Sequence, residues 1–476
     1  MSRETSRDDR PSELDRFTRW FDERTGLAGF VRGTLVKVYP DHWSFLLGEV
    51  VLFCFVVLIA TGIFLTFFYS PSATPLVYDG SYAPLHGQQV STAYGSVMRI
   101  SFDVKAGLVF RQIHHWAANV MLGSLVLHVA RVFFTGAFRR PREINWLLGV
   151  TLLLLALAAG VTGYSLPDDL LSGTGLRIIY SAALSIPLIG PWLAFLVFGG
   201  EFPTAEMIGR LFVFHIMLLP ALMIAAITAH IGLVVLQKHS QYRAGWATET
   251  NVVGRRLWPG QAFRSTGLFF IVAAVLAALG GLVQVNPIWL YGPFIPYAVS
   301  SPAQPDWYLG WLEGALRLAP PFEPVLLGVT IPSVFIPGIL IPGIVFTAFM
   351  LWPWIEARLT GDHRAHHLLD LPWDARLRFA VGMAMLTFFL VLTVAGGNDV
   401  IAAFLRVPVE AVTLTLRPLV IALPVLVAIL SYALAREMRS RAFGREAPGP
   451  RVLVRTPEGG FREAGHGAAD AEADRS

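Results

Sequence analysis

Four histidines set in apolar sequence offer the most chemistry in this chain. His114 and His128 stand fourteen apart in RQIHHWAANVMLGSLVLHVAR at 111–131, and His215 and His230 stand fifteen apart in HIMLLPALMIAAITAH. At ~100° per residue, fourteen steps stop about 40° short of four helical turns and fifteen run about 60° past them. Each pair therefore shares a helix face, its imidazoles roughly 21 Å apart along the axis. Neutral imidazole is a transition-metal ligand, and an ionisable side chain in a lipid-spanning stretch is costly. A lone intramembrane histidine is ordinarily a hydrogen-bonded packing residue. Two pairs at matching spacing, on two spans of the same direction, form two bis-imidazole sites when the helices pack side by side. That arrangement holds two haems in series, His114 and His215 for the outer one, His128 and His230 for the inner one. His115 lies thirteen before His128, about 140° off the shared face.

Glycines and arginines repeat the two levels. Gly48 and Gly62 are fourteen apart in one apolar span, and Gly149 and Gly163 fourteen apart in another. Both spans run opposite to the histidine spans, so Gly48 and Gly149 fall at the inner level and Gly62 and Gly163 at the outer. A residue without a side chain lets a flat macrocycle press on the backbone, although glycines also mediate helix–helix contact in membranes. Arg111 precedes His114 by three and Arg131 follows His128 by three. Both suit anionic propionates in a low dielectric, and both also suit snorkelling at a helix end.

These residues need membrane helices to carry them. The 476-residue chain is 54% hydrophobic and 15% charged, against roughly 25% charged in soluble domains. Eight apolar spans are predicted, at 45–69, 109–134, 146–165, 208–236, 266–286, 325–352, 378–396 and 412–435, an all-α polytopic membrane protein. The first four form a four-helix bundle around the histidines. The division is a 1–40 tail with a possible surface helix, a 41–240 di-haem domain, a 241–440 second four-helix domain and a 441–476 disordered tail. An even number of crossings puts both termini on one side. With the termini inside, 29 of the 37 Lys and Arg fall on inner segments and inner helix ends, so the termini are expected to be cytoplasmic. The outer connections 166–207 and 287–324 are long, apolar and broken by Gly and Pro, as in segments that lie along the interface or cap a cavity. Cys54 is the only cysteine, so a disulfide, a CxxCH haem attachment or an iron–sulfur ligand set would have to involve a partner.

The set of RxxH, His-x13-His-x2-Arg, the two glycine pairs, GYSLP at 163–167 and PDWY at 305–308 resembles cytochrome b of the cytochrome bc1 and b6f complexes. The resemblance covers about residues 40–440. All eight spans lie on one chain, as in bc1-type proteins, and GYSLPDD, QKHSQ and the fifteen-residue His215–His230 spacing look most like actinobacterial forms. The resemblance implies a translocating quinol–cytochrome c oxidoreductase of the respiratory chain in the plasma membrane, active only with a Rieske iron–sulfur subunit and a c-type cytochrome. It implies two non-covalent b-type haems, a homodimeric complex and no nucleic-acid partner; the actinobacterial wording suggests menaquinol as substrate.

By the same resemblance, quinol binds in an outer cavity under the 166–207 and 287–324 connections, near PDWY. Asp306, where many members carry Glu, accepts a quinol proton, and Tyr308 hydrogen-bonds the head group. Asp168 and Asp169 either aid proton exit or are solvated. At the inner quinone site, Val235 stands where mitochondrial members carry a histidine; His239 is a possible substitute or a solvated loop residue. Leu46 stands where b6-type proteins carry a haem-linking cysteine, so a third haem is not expected. His363, His366 and His367 cluster in an inner loop, where they either hold a metal or are solvated. Two other classes fit the histidines alone: a di-haem anchor of another dehydrogenase, which would lack PDWY and the second half, and a transporter with a histidine proton relay, which would bind no haem.

Overall fold

The computed structural model describes residues 13–243, 246–298, 304–326, 328–444, 453–455 and 461–463. Two short helices come first among the described residues, α1 (Glu13–Thr25) and α2 (Leu27–Leu35). Phe17, Trp20 and Phe21 are exposed along α1, the apolar stripe of a helix suited to a membrane surface. The first bundle is built on α3 (Leu46–Thr66), α5 (Gly107–Phe134), α6 (Glu143–Ser165) and, after a long connection, α9 (Met207–Gln237). The short α4 (Thr92–Phe102) lies at its His114 end, called outer below, the His128 end being called inner. The first outer connection carries α7 (Leu170–Leu184) and α8 (Gly190–Phe198). The second half comprises α10 (Ala262–Leu282), the one-turn α11 (Ile288–Tyr291), α12 (Gly310–Leu318), α13 (Ile336–Met350), α14 (Trp352–Thr360), α15 (Arg376–Gly396), α16 (Asn398–Leu405) and α17 (Val409–Gly444).

Seven helices among the described residues are long and apolar enough to cross a membrane, eight if the bent pair α13/α14 counts as one span. The fold class is all-α, and the chain is an integral membrane protein. The sixth span differs from its expected 325–352. Residues 325–326 and 329–330 pair as an antiparallel hairpin, the helix starts at Ile336, and a 60° bend separates it from α14. Prolines explain this: Pro332 precedes the helix, and Pro353 sits in the first turn of α14, where its missing N–H breaks the ladder. Buried ion pairs hold the bent end. Arg378 donates to Glu356 (3.0 and 3.1 Å) and Asp370 (3.1 Å), and Trp352 donates to Glu356 (2.8 Å).

α3 packs along α5 and α6 along α9, each glycine-bearing helix against a histidine-bearing one. Their shared core includes Cys54, Met121, Leu125, Val150 and Met223. The halves join through α10, which lies on α5 and α3, with Gly280 against Ile113. At the outer end of α5, Gln112 exchanges hydrogen bonds with Val285 (2.7 and 3.0 Å), and the Trp116 indole donates to the Val283 carbonyl (2.8 Å). α17 continues to Gly444, and the strands Leu453–Arg455 and Phe461–Glu463 pair antiparallel. The other residues beyond 444, and 1–12, lie outside the described residues.

Candidate functional site: two histidine levels and an outer turn

The fifteen-residue spacing of His215 and His230 finds its explanation in α9. Phe214–Leu218 forms a π-helical turn, which holds one more residue per hydrogen-bonded ring than an α-turn. The extra residue is absorbed there, so His230 returns to the phase that a fourteen-residue spacing has on α5. Up to that turn the two halves of the bundle repeat at a fixed offset of 101 residues: Gly48 and Gly149, Thr61 and Thr162, Gly62 and Gly163, His114 and His215.

Each glycine meets one histidine. A Cβ built on Gly62 would stand 3.3 Å from Cε1 of His114, and on Gly163 only 2.5 Å from Cε1 of His215. At the other level, a Cβ on Gly48 would be 3.2 Å from His128 and on Gly149 3.6 Å from His230. At Gly163 any side chain would displace the imidazole. The His114 and His215 rings lie with centroids 6.2 Å apart, nearly perpendicular.

Hydrogen bonds define the tautomer at this outer level. The Thr61 hydroxyl donates to the Val57 carbonyl (2.7 Å), so it accepts from Nδ1–H of His114 (2.9 Å). His215 Nδ1 faces the Ala159 carbonyl (3.1 Å), an acceptor only, so it also carries its proton there. Nε2 of both rings keeps its lone pair. At the other level, Nδ1 of His128 and of His230 is buried without a hydrogen-bond partner. There the two imidazoles, Gly48, Gly149 and Arg131 line a cavity of about 380 Å³. Arg131 lies 4.2 Å over the Phe45 ring, with Nε and Nη2 unpartnered. Arg111 donates to the Asn286 carbonyl (3.1 Å) and keeps a buried, unpartnered Nε.

His239 is partly buried. It lines the same cavity, packs 4.3 Å from the Tyr39 ring, and is depressed to about pKa 4 by burial and by Arg142, Lys37 and Arg131. Val235 lines that cavity too. The histidines at 363–367 do not converge: His366 pairs with Asp362 (3.1 Å), and His367 accepts from Arg142 (3.0 Å). Among the described residues no three His, Cys, Asp or Glu gather as a metal cluster.

On the outer side the PDWY residues form a turn leading into α12. Tyr308 is buried and donates its hydroxyl to Asp306 (3.1 Å); burial first, then the neighbouring carboxylate, holds the phenol well above its usual range. Gly160 on α6 makes its seat, since a Cβ there would lie 2.8 Å from the hydroxyl. Sequence reading missed Gly160, whose only signal is a glycine in the interior of an apolar helix. Asp168 and Asp169 are buried rather than solvated. Asp169 caps α7 through the Leu171 amide (3.1 Å), and the Asp168 carbonyl accepts from Phe294 (3.0 Å), tying the two outer connections together. Burial, with Asp169 adding, lifts the Asp168 carboxyl to about 6 against a hydrogen bond from Ser91. Beside this joint, α7, α12 and α16 border an open cavity of about 620 Å³ lined by Arg177, Ser181, Glu313, Arg317 and Asp399.

Fold and site together define a class: an integral membrane protein with two stacked histidine pairs in its first bundle and a polar turn at its outer rim. Residues 119–293 match the family model described as cytochrome b(N-terminal)/b6/petB. The chain is 43% identical over 460 residues to the cytochrome bc1 complex cytochrome b subunit of Streptomyces coelicolor, covering 94% of this chain and 83% of that one. It is 44% identical over 445 residues to that of Mycobacterium tuberculosis, covering 93% and 81%. The chain belongs to the cytochrome b family of cytochrome bc1 complexes. A solved structure of a "Hyperthermophilic respiratory Complex III" shares its fold at TM-score 0.64 and 20% identity, covering 87% of this chain and 100% of that one.

Proposed function

We propose that this chain is the di-haem cytochrome b of a respiratory quinol–cytochrome c reductase. The observation that carries the reading is the pairing of a glycine with each of four histidines at two levels. The residues suit two b-type haems. Two imidazoles each placing a nitrogen about 2 Å from one metal put their ring centroids roughly 6 Å apart, and His114 and His215 stand at 6.2 Å. His128 and His230 line one cavity together with Gly48, Gly149 and Arg131. Arg111 and Arg131 keep buried N–H groups for propionates. When bound, the haems supply a one-electron path between the membrane faces.

The chain's own residues do the rest. Quinol binds at the outer side beside the PDWY turn, under the connections that Asp168 and Asp169 tie together. Asp306 takes a quinol proton, and Tyr308, whose phenol stays protonated, donates to Asp306 and aims it. Of the two electrons, one leaves to a Rieske iron–sulfur subunit and on to a c-type cytochrome. The other passes inward to a quinone on the cytoplasmic side, where His239 stays neutral as a hydrogen-bond partner. Each unit charge moved across 100 mV stores about 2.3 kcal/mol, and with protons released outside this contributes to the proton gradient. Both termini lie in the cytoplasm, the complex sits in the plasma membrane as a homodimer, and the relatives' organisms favour menaquinol.

The test is reduction of the purified complex by menaquinol under anaerobic conditions, with haem counted per chain. Two b-type haems, both reduced by quinol, are expected; a chain that carries none contradicts the reading.

A further inference from the structure

Helix α5 carries His114 and His128 on one face. A neighbouring face bears His115, Asn119 and Gly123, spaced by four, and therefore in one row. That row receives the PDWY turn. Nε2 of His115 lies 3.2 Å from one Asp306 oxygen and 3.1 Å from the other. The Trp307 indole donates to Oδ1 of Asn119 (2.9 Å), whose amide in turn donates to the His115 carbonyl (3.3 Å). A Cβ at Gly123 would touch the Trp307 ring at 3.8 Å, so the row ends in a flat seat for the indole. His115 and Asp306 have side chains only 15% and 17% exposed, so the contact is sheltered rather than a solvent-screened pair.

We propose that His115 is the positioning residue for Asp306: its Nε2–H holds the carboxylate in place, while Asn119 fixes the turn through Trp307. The proposal rests on the reading of the PDWY turn as the quinol site. Its consequence is geometric. Residues 114 and 115 of one helix address the metal and the proton acceptor respectively, so the two destinations of a quinol's electron and proton are registered by one rigid element. Asp306 is a short acid, and a second anchor on α5 sets where its carboxyl stands. Tyr308 supplies the other bond (3.1 Å), so the carboxylate is held from two sides and loses one when His115 is removed.

The test uses the assembled complex with His115→Ala, His115→Gln, Asp306→Asn and the double variant His115→Ala/Asp306→Asn. Losing one hydrogen bond to a charged group is expected to lower quinol turnover by roughly tenfold or more. Most of the loss should fall in kcat rather than KM, with both haem spectra unchanged. His115→Gln, which keeps an N–H donor, should recover most of the rate. The double variant should be no slower than Asp306→Asn alone, since His115 acts only through that carboxylate. Asp306→Asn slow with His115→Ala at full rate overturns this proposal alone, as does a double variant in which the two losses multiply. Asp306→Asn at full rate sinks the quinol-site reading and the proposal with it.

Discussion

At the scale of single residues, periodicity made the paired positions legible: side chains fourteen apart on a helix share a face wherever the helix packs. The facing of Gly48 to His128, or of Gly62 to His114, follows from that and from opposite chain directions. What periodicity cannot carry is contact with a distant loop. His115 was readable as off the shared face, but its partner Asp306 lies 191 residues away and reaches it only through the fold of the second half. Burial of the outer acid pair was equally hidden, because two adjacent aspartates ordinarily signal solvent. Asp168 has a left-handed backbone (φ 53°) and a carboxyl lifted to about 6. A carboxyl whose folded pKa exceeds its unfolded value favours folding below the unfolded pKa, near 4, and loses that contribution as pH rises through 6. Asp168→Asn, which tolerates the same backbone and cannot ionise, should therefore match the native chain near pH 4. By pH 8 it should be more stable by up to about 2–3 kcal/mol. Amide exchange in 168–175 at the two pH values measures this, and a variant less protected at pH 8 would refute it.

At the scale of elements, seven of the expected spans fall within several residues of their helices, because apolar runs bounded by Gly, Pro and charge mark membrane helices well. The exceptions have local causes. Prolines delay and bend the sixth span. The π-turn in α9 leaves no mark beyond the odd fifteen-residue spacing itself, since a π-turn needs no special residue type. That turn yields a sharp prediction. Deleting Met217, inside it, converts π to α and leaves His215 and His230 fourteen apart and in phase, so both haems should be retained. Deleting Ala225, between the turn and His230, rotates His230 by ~100°, and the inner haem should be lost. Haem per chain distinguishes the outcomes; loss of haem from the Met217 deletion would refute the account of the spacing.

At the scale of the whole molecule, the bias of Lys and Arg toward inner segments was visible in the composition of the loops, as were the long outer connections. The joint between those connections, through Asp168 and Phe294, was not, because it is made by backbone atoms. The orientation is open to direct check. Thr250 and Thr330 are both exposed, in an inner and an outer connection, and the native Cys54 is buried out of reach of reagent. In intact cells a membrane-impermeant maleimide should label Thr330→Cys and spare Thr250→Cys, which reacts only after lysis; the opposite pattern would invert the topology. Above these tests stands the claim that four imidazoles hold two haems at two levels, and a redox titration of the visible spectrum addresses it most directly. The native chain should titrate as two b-type components, and His114→Ala should lack one while the other keeps its potential within small limits. A spectrum and titration unchanged in His114→Ala would contradict the account.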